Sequence, residues 1–349
     1  MNTLSVIEQF MFDEEFFSFG AMLADTEKNK IILAKGGEIS SQQKEEQTYF
    51  FAKDFYTDTF NYYYPGTFIE VPLSEVISYF ERFKSHPEII ETINFDHLYE
   101  TDFDSFKENL DTLEKVVLIS REEFRTKDFK ASLKHFFYSA LNFGTGHPYG
   151  FWNKTHGILG ATPELLFEVK GDELFTFALA GTAKREDGEF LLTSTKDRHE
   201  HNIVIDDIKE KLTPFCSDIQ VGETHLHPFK HLVHLKTDFS AKFNDFKNFI
   251  ALTQKMSPTA ALGGYPMNEC MNFLRQTRYA KRFPHRIFGS TMGLVKPQEV
   301  ITLVMIRNLQ WAHDQFIIES GGGVVKESIL ENELNEIELK RNIIKKNYL

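Results

Sequence analysis

Two pairs of acidic residues share a spacing that could hold a metal ion. Asp197 and Glu200 are three residues apart near the start of a helix predicted over 196–212. Glu333 and Glu336 repeat this spacing near the C-terminus. Residues three apart lie on one face of a helix, and carboxylate oxygens are preferred ligands of hard cations such as Mg²⁺. Acidic residues three apart on a helix usually form a solvated face, so neither pair alone is specific for a metal.

Two further residues have the types required for proton transfer. Lys115 lies in a β-branched run that predicts a strand over 113–121. It is either a surface lysine or, in a closed site, a base whose pKa is lowered by desolvation. Glu164 follows Pro163 at the start of an apolar run, within a strand predicted over 160–167. Burial would raise the pKa of this carboxyl group and make it a proton donor.

Candidates for anion binding occur in the last two predicted strands. Arg307 lies among apolar neighbours in a strand predicted over 301–311. A guanidinium in such a setting requires a partner, and a bound carboxylate is the natural one. The final strand, predicted over 315–325, is interrupted by three glycines, of which Gly321 and Gly323 are the outer two. Glycines allow backbone N–H groups to approach an anion closely.

Two other segments are compatible with ligand contact. Gly181 and Thr182 end a strand predicted over 174–182. Their corner is either an ordinary turn or a contact for a carboxylate through a backbone N–H group and a hydroxyl. The segment 256–266 is rich in proline and glycine and is apolar for a surface connection, which favours a ligand-lining role. The glycine motifs for phosphate and dinucleotide binding are missing from the sequence, so these ligands are not indicated.

The remaining patterns describe a mixture of strands and helices. Further helices are predicted over 126–143 and 246–255, and further strands over 149–152, 218–222 and 231–239. Residues 1–105 combine short strand-like runs, such as 30–37, with aromatic turns, such as 62–66. These aromatic residues predict core packing rather than a stacking platform. Because strands and helices do not alternate regularly, the fold class predicted is α+β.

Composition limits the class of protein and its partners. The 349 residues are 42% hydrophobic and 26% charged, which is typical of globular proteins. The net charge of −12 argues against nucleic acid and anionic membranes as partners. Cys216 and Cys270 form no metal or redox motif, and no signal peptide or membrane-spanning run is found. We therefore expect a cytoplasmic protein.

The motifs occur in the same order as in a known enzyme family. They are Lys-Val-Val-Leu at 115–118, Gly-Ala-Thr-Pro-Glu-Leu-Leu at 160–166, Leu-Ala-Gly-Thr at 179–182, Lys-Asp-Arg-His-Glu-His-Asn at 196–202, His-Leu-Lys-Thr at 234–237, Pro-Thr-Ala-Ala-Leu-Gly-Gly at 258–264, Ile-Arg-Asn at 306–308, Gly-Gly-Gly-Val-Val at 321–325 and Glu-Leu-Asn-Glu-Ile-Glu-Leu-Lys at 333–340. This series resembles the chorismate-utilising enzymes, which include isochorismate, salicylate, anthranilate and aminodeoxychorismate synthases. The resemblance covers residues 110–345, and residues 1–105 match only loosely.

The resemblance implies a fold and a set of binding residues. The fold would be two facing antiparallel sheets with helices outside and the active site in the central cleft, in a single domain over 1–349. Asp197, Glu200, Glu333 and Glu336 would hold a Mg²⁺ that bridges to the ring carboxylate of chorismate. The contacts to the substrate would come from Gly181, Thr182, Arg307, Gly321, Gly323 and Lys340.

The resemblance also implies the catalytic residues and the branch of the family. Lys115 would activate a water for attack at C2 of the ring, and Glu164 would protonate the departing C4 hydroxyl. Ala180 stands where aminodeoxychorismate synthases commonly carry a nucleophilic lysine, and the ammonia-using branches lack a lysine at position 115. These features favour an isochorismate synthase. The alternatives are a salicylate synthase, an ammonia-using large subunit and a non-catalytic chorismate-binding scaffold.

Two positions depart from the family pattern. Ser257 stands where the family has a histidine near the substrate, and Phe288 stands where it has a tyrosine. If the histidine assists pyruvate elimination, its loss favours a reaction that stops at isochorismate. We expect chorismate as the ligand and a monomer without an obligatory amidotransferase subunit. The product could enter menaquinone or siderophore synthesis.

Overall fold

The described strands form two antiparallel sheets with helices packed against them, as the α+β prediction states. The computed structural model describes the backbone of residues 3–11, 14–44, 47–144, 146–184, 186, 188–229 and 232–349. Within these ranges, the side chains at 3, 4, 182, 184, 196, 200, 229 and 232 lie outside the described part. In the described chain each sheet has ten strands.

The first sheet contains the strands that carry Lys115 and the three glycines. Its strands, in order across the sheet, are β16 (Gly264–Tyr265), β8 (Lys115–Thr126), β20 (Gln315–Val325), β19 (Asn308–Ala312), β10 (His156–Thr162), β9 (His147–Trp152), β1 (Gly20–Asp25), β2 (Lys30–Lys35) and β6 (Thr67–Pro72), with β7 (Ile89–Asn94) paired to β8 outside this row.

The second sheet contains the strands that follow Glu164 and precede Arg307. Its strands, in order across the sheet, are β13 (Cys216–Val221), β15 (Leu232–Phe243), β12 (Glu173–Lys184), β11 (Leu165–Lys170), β18 (Glu299–Val304), β17 (Thr291–Lys296), β4 (Tyr49–Lys53), β5 (Phe60–Tyr64) and β3 (Glu38–Ser40), with β14 (His225–Phe229) paired to β15.

Helices cover both sheets. They are α1 (Thr3–Met11), α2 (Glu15–Ser18), α3 (Leu73–Glu81), α4 (Asp96–Lys107), α5 (Phe129–Leu141), α6 (Gly188–Thr193), α7 (Thr195–Leu212), α8 (Phe249–Met256), α9 (Met267–Leu274), α10 (Arg278–Arg282) and α11 (Leu330–Tyr348), with a short 3₁₀ helix at Phe246–Asn248. Helices α4, α5 and α11 contact the first sheet, and α7 contacts β12 of the second. None of the helices in the described ranges has the length and apolarity needed to span a membrane.

The N-terminal residues are built into both sheets. Strands β1, β2, β6 and β7 belong to the first sheet, and β3, β4 and β5 belong to the second. Between the sheets, Tyr63 and Met292 of the second pack in one apolar cluster with Ala34, Tyr149 and Ile158 of the first. The tyrosine run of β5 is buried in the protein interior, which confirms the prediction of core packing for these aromatic residues.

Two strands that the sequence predicts as continuous are divided between the sheets. The prediction of one continuous strand over 160–167 is wrong. Strand β10 ends at Thr162 in the first sheet, and β11 begins at Leu165 in the second. Pro163, which has no N–H group to donate to a neighbouring strand, lies between them. The strand predicted over 301–311 is wrong in the same way, since β18 and β19 lie in different sheets.

The two connections from one sheet to the other, between β10 and β11 and between β18 and β19, are called crossings here. They lie side by side. Strand β10 pairs with β19, with Gly160 opposite Asn308, and β11 pairs with β18, with Leu165 opposite Leu303. The connecting residues between these registers are therefore neighbours. The second crossing ends at Arg307, whose φ of +54° is in the left-handed region. A residue with a side chain adopts this conformation at a cost of about 1 kcal/mol, so neighbouring contacts must maintain it.

Helix α11 is fixed to the first sheet by a buried ion-pair network. The Arg341 guanidinium donates to the Asp96 carboxylate at 2.6 Å and to the Ser120 hydroxyl at 2.5 Å. It also lies 3.5 Å from the Glu122 carboxylate, which pairs with Lys345 at 2.6 Å. These contacts hold the helix that carries Glu333, Glu336 and Lys340.

Replacing Arg341 by methionine should lower the free energy of unfolding by about 3 kcal/mol, because two carboxylates then lose a buried cation. Chemical denaturation of wild type and Arg341→Met measures this difference. The control is Lys346→Met, an exposed lysine on the same helix. Equal stability of the two variants would contradict the role given to the network.

Candidate active site

Glu164 and Arg307 are brought together by the two crossings. The Glu164 carbonyl accepts a hydrogen bond from the Val304 N–H at 3.0 Å, and the Arg307 carbonyl accepts one from the Ala161 N–H at 3.4 Å. Each crossing is therefore bonded to the strand end of the other. This backbone arrangement places a carboxylate and a guanidinium, both half-buried, next to each other.

The environment of Glu164 favours its protonated form. Burial raises the pKa of the Glu164 carboxyl group, and the positive charges of Arg307 and Lys340 oppose this rise. Burial also lowers the pKa of Arg307, which the charge of Glu164 opposes. The direction of the Glu164 shift agrees with the prediction from its apolar neighbours. A carboxyl group with a raised pKa near cations can donate a proton and then be stabilised as the anion.

Lys340 connects helix α11 to the glycine-containing strand. Its ammonium group donates to the Gly321 carbonyl at 2.8 Å and pairs with the Glu336 carboxylate at 2.6 Å. Its charge also acts on Glu164. The residue thus adds a second cation to the region around Glu164 and Arg307.

The three glycines do not interrupt the last strand, contrary to the prediction. Strand β20 continues to Val325 and pairs with β8 along this whole stretch. On its other side, β19 pairs only with Gln315–Ile317, and within the described residues no strand covers the edge beyond. The Gly321 carbonyl points to this open edge, where it meets Lys340. Residues two apart in a strand point the same way, so the N–H groups of Gly321 and Gly323 are directed to this same edge.

Lys115 occupies the space left by a missing side chain. A Cβ atom added to Gly323 would lie 2.8 Å from Cε of Lys115. The side chain of Lys115, whose backbone pairs with Val325 at the beginning of β8, therefore extends over this glycine. The neighbouring β16 pairs Tyr265 with Lys115, and the Cys270 thiol donates to the Lys115 carbonyl at 2.9 Å. The backbone of Lys115 is thereby fixed, and its half-buried side chain runs along the glycines.

The sequence predicts a corner at Gly181, at the end of a strand. In the structure Gly181 instead forms a bulge within the strand. Its φ is +72°, the register of β12 shifts between Ala180 and Thr182, and the strand continues to Lys184. The backbone of Thr182 pairs with His234, whereas its side chain lies outside the described part. A glycine is required here because the left-handed conformation is strained for other residues.

The bulge lies between Arg307 and the first acidic pair. The His234 ring nitrogen Nδ1 is 3.2 Å from the Gly181 carbonyl oxygen, and burial and the charge of Arg307 lower the pKa of His234. On the other side, a Cβ atom added to Gly181 would lie 3.8 Å from Cβ of Asp197. The start of α7 therefore packs onto the bulge. The hydroxyl of Ser194, the N-cap of this helix, bonds to the Asp197 carboxylate.

The second acidic pair contains a carboxylate oxygen without a partner. Oε2 of Glu333 is buried and has no hydrogen-bond partner among the described residues, and the same is true of the Tyr99 hydroxyl. Both lie beside Gly322, because a Cβ atom there would be 3.3 Å from the first and 3.5 Å from the second. Burial raises the pKa of Tyr99, and the charges of Glu333 and Glu336 raise it further.

The four predicted metal ligands are described only in part. The side chain of Glu200 lies outside the described residues. Asp197 is held by Ser194, Glu336 pairs with Lys340, and Glu333 retains an unpartnered oxygen. The described side chains contain no group of three or more His, Cys, Asp or Glu residues that could hold a metal ion.

A buried polar row next to Arg307 was not predicted from the sequence. The Tyr149 hydroxyl donates to the Ile306 carbonyl at 3.0 Å and accepts from the Asn308 amide at 3.0 Å. Gln310 donates to Asn308 at 3.2 Å and to Glu319 at 2.8 Å. These bonds hold the backbone on both sides of Arg307. The alternation of polar Asn308 and Gln310 with apolar neighbours could have identified this row.

The two positions that depart from the family pattern are both buried. The Ser257 hydroxyl accepts a hydrogen bond from the Thr291 hydroxyl at 2.8 Å. Phe288 packs with Val117, Ile119 and Tyr279, two of which lie on the same strand as Lys115. Strand β17 begins three residues after Phe288, at Thr291.

The raised pKa of Glu164 predicts a specific pH dependence of stability. Because the folded state binds this proton more tightly, its contribution is present below the unfolded pKa of about 4.3 and is lost as the pH rises through the folded value. Glu164→Gln should therefore become increasingly more stable than wild type as the pH rises through this window. Denaturation at a series of pH values tests this, with exposed Glu173→Gln as the control for loss of a carboxylate. A stability difference that does not change with pH would contradict the assignment.

Comparison with protein families gives a match over most of the chain. A family model described as chorismate binding enzyme matches residues 75–347. This match begins in α3, closer to the N-terminus than the resemblance over 110–345.

Individual relatives match shorter segments. A protein named isochorismate synthase MenF from Pasteurella multocida is 30% identical over 241 residues, which are 65% of this chain and 55% of that protein. A salicylate biosynthesis isochorismate synthase from Pseudomonas aeruginosa is 38% identical over 128 residues, which are 34% of this chain and 27% of that protein. The aligned segments span about half or less of these relatives.

The fold is that of a solved structure. MenF, described as the menaquinone-specific isochorismate synthase from Escherichia coli, superposes with a TM-score of 0.80 at 16% sequence identity, over 95% of this chain and 89% of that one. At this identity the likeness establishes the architecture of two antiparallel sheets with helices.

Proposed function

Because the chain belongs to the family of chorismate-binding enzymes, we propose that it is an isochorismate synthase that converts chorismate reversibly to isochorismate. The observation that carries this proposal is the pair of adjacent crossings, which places a glutamate of raised pKa beside Arg307. Lys115, at the start of β8, lies over Gly323 of the glycine-containing strand β20. The site thus offers a proton donor, a candidate base and cations for an anionic substrate.

The proposed reaction is a displacement with transposition of two double bonds. Lys115 accepts a proton from a water as the water oxygen bonds to C2 of the ring. The electrons of the two ring double bonds shift towards C4, and the bond from C4 to its hydroxyl oxygen breaks. Glu164 donates a proton to that oxygen, which leaves as water. One water is consumed and one is released, so the ring keeps its composition, and general acid–base catalysis serves both ends.

The carboxylates of chorismate would be bound by cations and by the open strand edge. Arg307 can form a bidentate contact to a carboxylate. Lys340 and the N–H groups of Gly321 and Gly323 lie along the same edge of β20. We propose that Gly181 and Thr182 complete this binding surface next to Arg307.

We propose that the acidic residues at the start of α7 and α11 hold Mg²⁺. The buried Oε2 atom of Glu333, which has no hydrogen-bond partner among the described residues, is the observation that favours a cation there, since buried carboxylate oxygens are normally bonded. Asp197, Glu200, Glu333 and Glu336 would hold the ion, some through water. When bound, it would neutralise the ring carboxylate of the substrate.

We propose that the reaction stops at isochorismate. The position of the family histidine is occupied by Ser257, whose hydroxyl is already bonded to Thr291 and cannot take over an imidazole's proton transfer. Since water is the nucleophile, the chain would act without an amidotransferase subunit, as a monomeric single domain. Cys216 and Cys270 are buried free thiols, which suits the reducing cytoplasm. The relatives include proteins named for menaquinone and for salicylate synthesis, and isochorismate could enter either kind of pathway.

Purified protein with chorismate and Mg²⁺, without an ammonia donor, should form isochorismate, and starting from isochorismate it should form chorismate. Chelation by EDTA should abolish both directions, and added Mg²⁺ should restore them, because the substrate carboxylate would then lose its counter-ion. Chromatography of the products measures this. Salicylate with pyruvate, or a product that requires ammonia, would contradict the proposal.

Removal of either catalytic group should lower kcat more than it changes KM. We expect Lys115→Ala and Glu164→Gln to reduce kcat by roughly 10²–10⁴-fold, the usual contribution of a general acid or base. The matched controls are Lys154→Ala and Glu173→Gln, at exposed positions away from the crossings. Near-normal kcat in a folded Glu164→Gln variant would show that another group supplies the proton.

A further inference from the structure

A small cavity lies behind Glu164, between the second sheet and helix α7. Its volume is about 50 Å³. Much of its lining is apolar, but five of its residues are polar or charged: Glu164, Thr176, Asp207, Lys211 and Thr259. Glu164 lies in the first crossing, Thr176 in β12 and Thr259 in the segment that follows α8. Asp207 and Lys211 lie on α7.

The cavity is suited to hold water. The Thr259 hydroxyl is buried and has no hydrogen-bond partner within the described chain, and buried hydroxyls normally bond to protein or to ordered water. One water requires roughly 10–15 Å³ of such volume, so the cavity can hold roughly three. Glu164 and Thr259 both line this space.

An ion pair separates this cavity from the protein surface. Lys211 and Asp207 are one turn apart on α7 and pair at 2.7 Å. Both residues, together with Ala260, also line a cleft of about 700 Å³ on the outside of the segment that follows α8. The Lys211 side chain is 10% exposed and that of Asp207 is 29% exposed. The pair is therefore the polar part of the wall between the cavity and the outer cleft.

The proposed reaction requires a path for water and protons between Glu164 and the solvent. After one conversion Glu164 is a carboxylate and Lys115 is an ammonium group. The water that leaves C4 must depart, Glu164 must regain one proton, and Lys115 must release one, so that no net proton is consumed. The charged groups that face Glu164 are Arg307 and Lys340 on the cleft side and the Asp207–Lys211 pair across the cavity.

We propose that the cavity is a water compartment that returns protons to Glu164 and exchanges with solvent past the Asp207–Lys211 pair. This inference rests on the proposed isochorismate synthase activity and adds positioning residues to it. The outer cleft is then the exit for water on the side of Glu164.

The test uses variants that remove the polar groups along this path without leaving a buried unpaired charge. The double variant Asp207→Leu/Lys211→Met replaces the pair by apolar side chains, which often leaves stability unchanged. Thr259→Val removes the unpartnered hydroxyl with little change of shape. We expect kcat of the double variant to fall about tenfold, with KM within about twofold and a larger solvent deuterium isotope effect, because proton return becomes slow. The control is Lys209→Met, on the same helix but outside both cavities.

Kinetic constants and an isotope effect equal to those of Lys209→Met would overturn the proposal. A crystal structure of the ligand-free wild-type protein gives an independent answer, because ordered water should bond to Glu164 and Thr259, and a dry cavity would also overturn it. The electron density in the cavity of the wild-type protein shows whether water is present, even if the double variant does not fold. Failure of the proposed function would appear differently, as absence of isochorismate formation by the wild type.

Discussion

A buried carboxyl group beside a guanidinium is the interaction on which the rest of the site depends. It exists because two paired segments of the chain leave one sheet and enter the other at the same level. Pro163 ends one strand before Glu164, and the left-handed backbone of Arg307 redirects the other. In the low dielectric of this region, burial raises the pKa of Glu164 while Arg307 limits the rise. The carboxyl group therefore holds its proton more tightly than a solvated glutamate does, and the neighbouring cations stabilise the anion once the proton is transferred.

Glycines allow two further candidate groups to approach strand β20 closely. Lys115 lies across Gly323, and Glu333 lies beside Gly322 on the opposite face of the strand. Strand β20 thus separates the candidate base from the carboxylate with an unpartnered oxygen, and its open edge presents backbone donors at Gly321. Rigid strands hold these groups, and a residue with a side chain in place of Gly323 would displace the lysine.

Much of this arrangement follows from the sequence. A β-branched run predicts β8, apolar residues at helical spacing predict α5, and the order of motifs identifies the family and the facing sheets. The division of the strands at Glu164 and Arg307 was missed because a change of sheet leaves the run of apolar residues intact, although Pro163 was a signal. The bulge at Gly181 and the continuation of β20 depend on tertiary pairing, which overrides the local preference of glycine for turns.

The most direct test of the account is the reaction of chorismate in water enriched in ¹⁸O, followed by mass spectrometry of the purified product and its fragments. If Lys115 activates water for attack at C2 while Glu164 expels the C4 hydroxyl, each isochorismate formed in a single conversion carries one ¹⁸O at C2, and the original C4 oxygen is released as unlabelled water. An unlabelled isochorismate, formed by transfer of the substrate's own hydroxyl, would contradict this division of roles between the two residues.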